Sequence, residues 1–179
     1  PQSAGLLLGR KDLVQAAWVH SAPHHGYARS MKVGREEMIG MLVAVESWVA
    51  RDHAAEWKEW VGRCEHIAQR VSKISGVAAI VQEDPGPGLS NRSPRVTIRW
   101  ESHAVAITGQ ELVKVLDTTE PRIVLNAAGR GGNGQAQLPG DTGVSIVPAM
   151  MNRGDEKIVA DRLVAGLSGK RAPVSPAAT

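Results

Sequence analysis

The sequence predicts a mixed helix-and-sheet protein: a long helical stretch, then a compact α+β layer of about four strands with helices on one face. Three observations predict it. Between Gly34 and Ile74, apolar residues recur at steps of three and four, broken near Arg51-Asp-His53. Beyond Gly76 the period changes, and Arg95-Val-Thr-Ile-Arg-Trp100 alternates, with Val96, Ile98 and Trp100 on one face. Thr108-Gly-Gln-Glu111 has the capping-box form just ahead of Leu112, Val113 and Leu116, which sets a short helix among the strands.

The elements follow in order. Residues 4 to 8 read as a short buried strand between Gly5 and Gly9, and residues 10 to 19 as a helix. Pro1 is not a start methionine and runs straight into that strand, so the chain is expected to be the carboxy-terminal part of a longer protein. A polar loop, His20-Ser-Ala-Pro-His-His-Gly-Tyr-Ala-Arg-Ser-Met31, is broken by Pro23 and Gly26. A helix opens at Gly34, with Glu36 and Glu37 in its first turn, where carboxylates suit the helix dipole. Its apolar residues are Met38, Met41, Leu42, Val45, Trp48 and Val49. A second helix carries Trp57, Trp60, Cys64, Ile67, Val71 and Ile74, the seam of a helix lying on a sheet, and Gly76 ends it.

Val77 to Val81 is an apolar strand, and Asp84-Pro-Gly-Pro-Gly88 a turn. Val96, Ile98 and Trp100 mark a half-buried strand. Arg122-Ile-Val-Leu125 and Val144-Ser-Ile-Val147 read as two more, with a glycine-rich loop at 129–134 between them. Asn152-Arg-Gly-Asp155 reads as the cap of a last helix over 155–168. The expected divisions are 1–32 (a strand and helix of an upstream domain), 33–75 (connecting helices), 76–169 (the α+β domain) and 170–179 (a disordered tail).

Composition narrows the function. The net charge is +3, and Lys and Arg are spread among acids with no basic stripe, which argues against a nucleic-acid partner. No stretch reaches the roughly 18 apolar residues of a membrane span. The single Cys64 excludes an internal disulfide and suits a reducing, cytoplasmic compartment. It falls on an apolar helical seam and reads as a small buried hydrophobe.

Few residues suggest chemistry. His20, His24 and His25 crowd one loop with Tyr27, but without an acid or thiol at ligand spacing, so no metal site is expected. The glycine-rich loop lacks the helix start that aims backbone N–H groups at a phosphate. One Cys and scattered His residues support no nucleophilic triad. Arg29 and Lys32 are the more interesting pair. Two cations at a loop-to-helix boundary can hold a carboxylate or phosphate, Arg bidentately and Lys as a point charge. The plainer alternative is ordinary surface charge.

Five segments in order carry a resemblance. They are Pro1-Gln-Ser-Ala-Gly-Leu-Leu-Leu-Gly-Arg-Lys-Asp-Leu13, Ala28-Arg-Ser-Met-Lys-Val-Gly-Arg-Glu-Glu37, Ser93-Pro-Arg-Val-Thr-Ile-Arg-Trp100, Glu120-Pro-Arg-Ile-Val124, and Gly143-Val-Ser-Ile-Val147 followed by Gly154-Asp-Glu-Lys-Ile-Val159. Together they resemble the selenocysteine-synthase-like family of fold type I pyridoxal-phosphate enzymes, over nearly the whole chain apart from the tail.

That resemblance implies an α/β enzyme of the pyridoxal-phosphate-dependent transferase fold. This chain would supply the last strand and helix of the large cofactor-binding domain, the interdomain helices and the α+β small carboxy-terminal domain. The cofactor would be pyridoxal 5'-phosphate, on a lysine a few residues before Pro1, so no catalytic residue is expected in this chain. Gln2 and Ser3 would lie near the cofactor, Arg29 would face the substrate anion, and Lys32 would stand where selenocysteine synthases carry a second arginine. That departure, with the His-rich insertion at 20–26, points away from selenium transfer to seryl-tRNA. It points toward the branch resembling ammonia-lyases, which eliminate across the α and β carbons of amino acids or amino-sugar acids. A homodimer or larger homo-oligomer and a small amino-acid-type substrate are implied. The competing reading is a non-catalytic α+β interaction module that meets a partner through Trp57 and Trp60.

Overall fold

The computed structural model describes residues 3–83, 92–127 and 140–169. Gln2, the expected turn at Asp84–Gly88, the glycine-rich loop at 129–134 and the tail at 170–179 lie outside them. The chain divides into two units, Pro1–Asp52 and His53–Thr179. The division falls between the two helices expected to form one connecting pair.

The first unit contains α1 (Lys11–His20), a 3-10 turn (Arg29–Met31) and α2 (Arg35–Ala50). Arg10 precedes α1 and pairs with Asp12 in its first turn at 2.6 Å. Gly34 stands at the start of α2, with Glu36 and Glu37 in the first turn. Neither helix buries a residue. The strand expected at 4–8 does not form: the segment is irregular, and Leu6, Leu7 and Leu8 are exposed, Leu8 to 79%. A strand needs a neighbour for its N–H and C=O groups. Among the described residues, none pairs with this segment.

The second unit is a four-stranded antiparallel sheet backed by three helices. Its strands are β1 (Val77–Gln82), β2 (Arg95–Trp100), β3 (Asn126–Ala127) and β4 (Thr142–Ile146), in the order β1-β2-β4-β3. Val77 pairs with Trp100, and Val96 with Ile146. The helix α3 (His53–Val71) packs on β1 and β2, α4 (Gly109–Thr118) packs on β4 and β3, and α5 (Asp155–Leu167) touches both helices. The core joins Ile67 and Val71 of α3, Ile98 and Trp100 of β2, Leu112 and Leu116 of α4, Val144 of β4 and Leu163 of α5. Trp100 donates its indole N–H to the Ile107 carbonyl at 2.7 Å, so its polar atom is not stranded by burial.

Four expectations need correction. The strand at 95–100 is not half-buried: β2 lies between β1 and β4, and Thr97 and Arg99 on its other face are buried too. The strand expected at 122–125 forms instead at Asn126–Ala127, opposite Ser145 and Val144. The reason lies in donor accounting. The Ile123 N–H bonds the Leu116 carbonyl at the end of α4, and the Arg122 N–H bonds the Glu120 carboxylate. The helix α3 stops at Val71, short of Ile74, although Gly76 takes the left-handed conformation with φ of 81°. Asn152 does not cap α5. Gly154 holds the cap position, and the Asp155 carboxylate reaches back to accept the Asn152 N–H at 2.8 Å.

The capping box is present as expected. The Thr108 hydroxyl accepts the Glu111 N–H at 3.2 Å, and the Glu111 carboxylate accepts the Thr108 N–H at 2.8 Å. Gly109 then sits so close to the Gly143 carbonyl oxygen that a Cβ there would overlap it. Its N–H bonds the Thr142 hydroxyl at 2.7 Å, which fastens α4 to β4.

Candidate functional site

The segment from His20 to Lys32 builds the site in the first unit. α1 ends where the Ser21 N–H bonds the Trp18 carbonyl and the Ser21 hydroxyl bonds the Ala17 carbonyl. The chain then closes on itself. The Ala28 N–H returns to the His20 carbonyl at 2.9 Å, and Ser21 and Ala28 form an isolated bridge. Inside this loop the His24 ring stands edge-on to Trp18, with centroids 5.2 Å apart. Nδ1 of His24 lies 3.1 Å from the Trp18 carbonyl, which its N–H tautomer satisfies. Gly26 presses on the His20 backbone: a Cβ there would lie 2.5 Å from the His20 Cα.

Arg29 opens the 3-10 turn that follows. Its Nη1 donates to the Pro23 carbonyl at 2.7 Å, with a longer contact of 3.5 Å to the His24 carbonyl. The side chain is exposed, and among the described residues Nε and Nη2 take no other partner. Lys32 is exposed at the end of the same turn. The structure therefore brings Arg29 together with the His20–Ala28 loop and puts Lys32 just beyond it. Ser3 is exposed and makes no hydrogen bond to either cation among the described residues. Sequence reasoning missed the Pro23 and His24 carbonyls. Their only signal was the Pro-His-His-Gly turn, which predicts a reversal but not which side chain it receives.

Two clefts among the described residues of the second unit are lined by none of the residues expected to bind substrate or cofactor. One, of about 500 Å³, is mostly apolar, with Val124, Val147, Ile158 and the 93% exposed Met150 in its wall. The other, of about 660 Å³, is lined by Glu59, Gly62, Arg63, His66, Arg153 and Glu156. Arg63 is committed there: it donates to the Met151 carbonyl at 2.5 Å and to Glu59 at 2.7 Å. Cys64 is no nucleophile, since burial pushes its thiol up to about 12, with Glu65 adding to the shift. Among the described residues, no three His, Cys, Asp or Glu side chains converge, and no helix is long and apolar enough to cross a membrane.

No family model matches the chain. Two curated proteins are similar to parts of it. The 5'-C-glycyluridine monooxygenase-decarboxylase of a Streptomyces species is 38% identical over 85 residues, which is 47% of this chain and 21% of that protein. The D-glucosaminate-6-phosphate ammonia lyase of Salmonella typhimurium strain 14028s is 30% identical over 110 residues, 62% of this chain and 27% of that protein. Among solved structures, a D-glucosaminate-6-phosphate ammonia-lyase aligns over 90% of this chain and 38% of its own, with a TM-score of 0.53 and 22% identity. That last likeness is one of fold. The matches thus take in about a fifth to a quarter of the curated relatives' length.

Proposed function

We propose that this chain is the carboxy-terminal part of a pyridoxal 5'-phosphate-dependent lyase of the selenocysteine-synthase-like family, one that eliminates ammonia from an amino acid or amino-sugar acid. The observation that carries the reading is the 30% identity over 110 residues to the Salmonella ammonia lyase. A solved enzyme of the same name shares the fold over 90% of the chain.

Pyridoxal phosphate, when bound, supplies an electron sink for a carbanion at the substrate α-carbon. The described residues do not themselves form a cradle for it. Ser3 is exposed, and the reading assigns the cofactor lysine and most phosphate contacts to sequence before Pro1. What this chain contributes is substrate binding. Arg29 offers a planar fork to a carboxylate, and Lys32 adds a point charge at the end of the same turn. Lys32 in place of a second arginine speaks against selenium transfer to seryl-tRNA. The working assembly in this reading is a homodimer or larger homo-oligomer in the cytoplasm.

A second reading has its own support. The Streptomyces monooxygenase-decarboxylase is the more identical relative, at 38%, over the shorter stretch of 85 residues. Loss of carbon dioxide with uptake of oxygen is its signature. Both relatives' names point to substrates with an amino-acid unit, so Arg29 as an anion contact serves either reading.

The test uses the full-length protein that contains this chain, supplied with pyridoxal phosphate. A visible absorption band removed by borohydride reports the cofactor on its lysine. D-glucosaminate 6-phosphate and, in a separate reaction, 5'-C-glycyluridine are then added, and ammonia, carbon dioxide and oxygen are measured. Ammonia release without oxygen uptake supports the lyase. Carbon dioxide with oxygen uptake selects the second reading. A folded protein with no band and no product rejects both.

A further inference from the structure

We infer that the loop at residues 20–28 is the positioning element of Arg29: it holds one edge of the guanidinium and leaves the opposite edge to the substrate carboxylate. This rests on the reading above that Arg29 meets that anion.

A guanidinium has five N–H groups in a rigid fork. Nη1 is spent on the Pro23 carbonyl at 2.7 Å, with the His24 carbonyl at 3.5 Å behind it. Nε and Nη2 form the side edge of the fork, the pair that receives a carboxylate through two parallel bonds. Among the described residues that edge is unclaimed. The loop thus turns the guanidinium and presents the bidentate edge outward.

The loop can do this because it is fastened to the end of α1 at several points. The Ala28 N–H bonds the His20 carbonyl, and the His24 N–H bonds the Ser21 carbonyl, each at 2.9 Å. The His24 ring packs on Trp18. Gly26 lies against the His20 backbone with no room for a side chain. The carbonyls that orient Arg29 therefore move with the helix rather than with a free loop. A long cationic side chain held before binding loses less rotamer freedom when its anion arrives. The same geometry assigns the His-rich insertion a task that needs no metal and no proton transfer by histidine.

Gly26→Ala tests the inference. The new Cβ would meet the His20 backbone at 2.5 Å and so displace the loop. His24→Ala is the milder second variant, which keeps the carbonyl and removes the ring contact with Trp18. Two readouts are needed. In the ¹⁵N-labelled full-length protein, NMR relaxation of the Arg29 Nε–H reports whether the guanidinium is held. In the full-length enzyme, KM for D-glucosaminate 6-phosphate is expected to rise about tenfold in Gly26→Ala, equivalent to roughly 1.4 kcal/mol, with kcat within about twofold. In an Arg29→Ala background, Gly26→Ala is expected to add nothing.

Loss of Nε–H restriction together with that non-additive KM supports the inference. Unchanged restriction in both variants overturns it, as does an equal rise in KM with and without Arg29. If Gly26→Ala does not fold, His24→Ala is read by the same criteria, with a smaller shift. If the variants loosen Arg29 while Arg29→Ala itself leaves KM unchanged, the assignment of Arg29 to the substrate is what fails. The hold of the loop on its guanidinium then stands without a substrate role.

Discussion

Arg29 has Nη1 pinned by a loop carbonyl, and this decides what its removal should do. In the full-length protein, Arg29→Ala is expected to raise KM for the anionic substrate about 10- to 100-fold, since a hydrogen bond to a charged group contributes about 1.5–3 kcal/mol. Arg29→Lys should recover only part of this, because an ammonium cannot copy the planar fork. A substrate analogue lacking the carboxylate should bind wild type and variant alike. Equal losses for both compounds would sink the assignment. Sequence made part of this legible. A cation beside a Pro- and Gly-broken loop can be read directly. Its partners could not, because they are backbone oxygens five and six residues away. Which carbonyl faces Arg29 depends on how Gly26 packs on His20, and residue type says nothing of that.

At the scale of elements, legibility tracked how local the cause is. The capping box at Thr108 and Glu111 needs only four residues, and it forms as written. The alternation at 95–100 needs only the pleat, and β2 has those bounds. The strand expected at 4–8 needed a neighbour, and the one expected at 122–125 had given N–H groups to Leu116 and Glu120. The first failure is one of long-range pairing, while the second comes from bonds reaching back only two and seven residues, which residue type does not announce. The box makes its own prediction. Thr108→Ala should cost about 1 kcal/mol of stability, the usual worth of such a cap, measured by urea unfolding at neutral pH. Glu111 also gives it a pH dependence. The Thr108 N–H, then its hydroxyl, holds the Glu111 carboxyl below its ordinary value of 4.5. A lowered folded-state value means stability that is present above the ordinary value and is lost as pH falls through the lowered one. The gap between Thr108→Ala and wild type should therefore shrink in acid. A gap that stays constant down to pH 2 would mean that the hydroxyl's bond to the carboxylate adds nothing, since the variant keeps the backbone N–H that also holds Glu111.

Across the whole chain, the two units differ in what they bury. The second places α3, α4 and α5 on a sheet around Ile67, Ile98, Trp100, Leu112 and Leu163. The first buries nothing in either of its helices. On α2, Met38, Ile39, Leu42, Val43 and Trp48 are exposed, and Val49 is exposed to 78%. Helix stability in proteins comes chiefly from a packed apolar face, so α2 should open far more readily than α3 or β2. Native-state hydrogen exchange on the chain in dilute solution should therefore resolve two classes of amide. Those of α1 and α2 should exchange at low opening free energy, and those of β2, α3 and α5 near the global value. Cys64 is a built-in check on the slow class. It is buried in α3, with its thiol pushed up to about 12, so alkylation at neutral pH requires the second unit to open. Its labelling rate should follow the slow amides and ignore the fast ones. High pH should weaken the second unit as well. Above the ordinary value of 9.0, the unfolded thiol loses its proton while the folded one keeps it, so stability falls as pH rises. Protection of α2 equal to that of β2 at every protein concentration would contradict this account. Protection that grows with concentration would mean that a second copy of the chain covers the exposed face of α2.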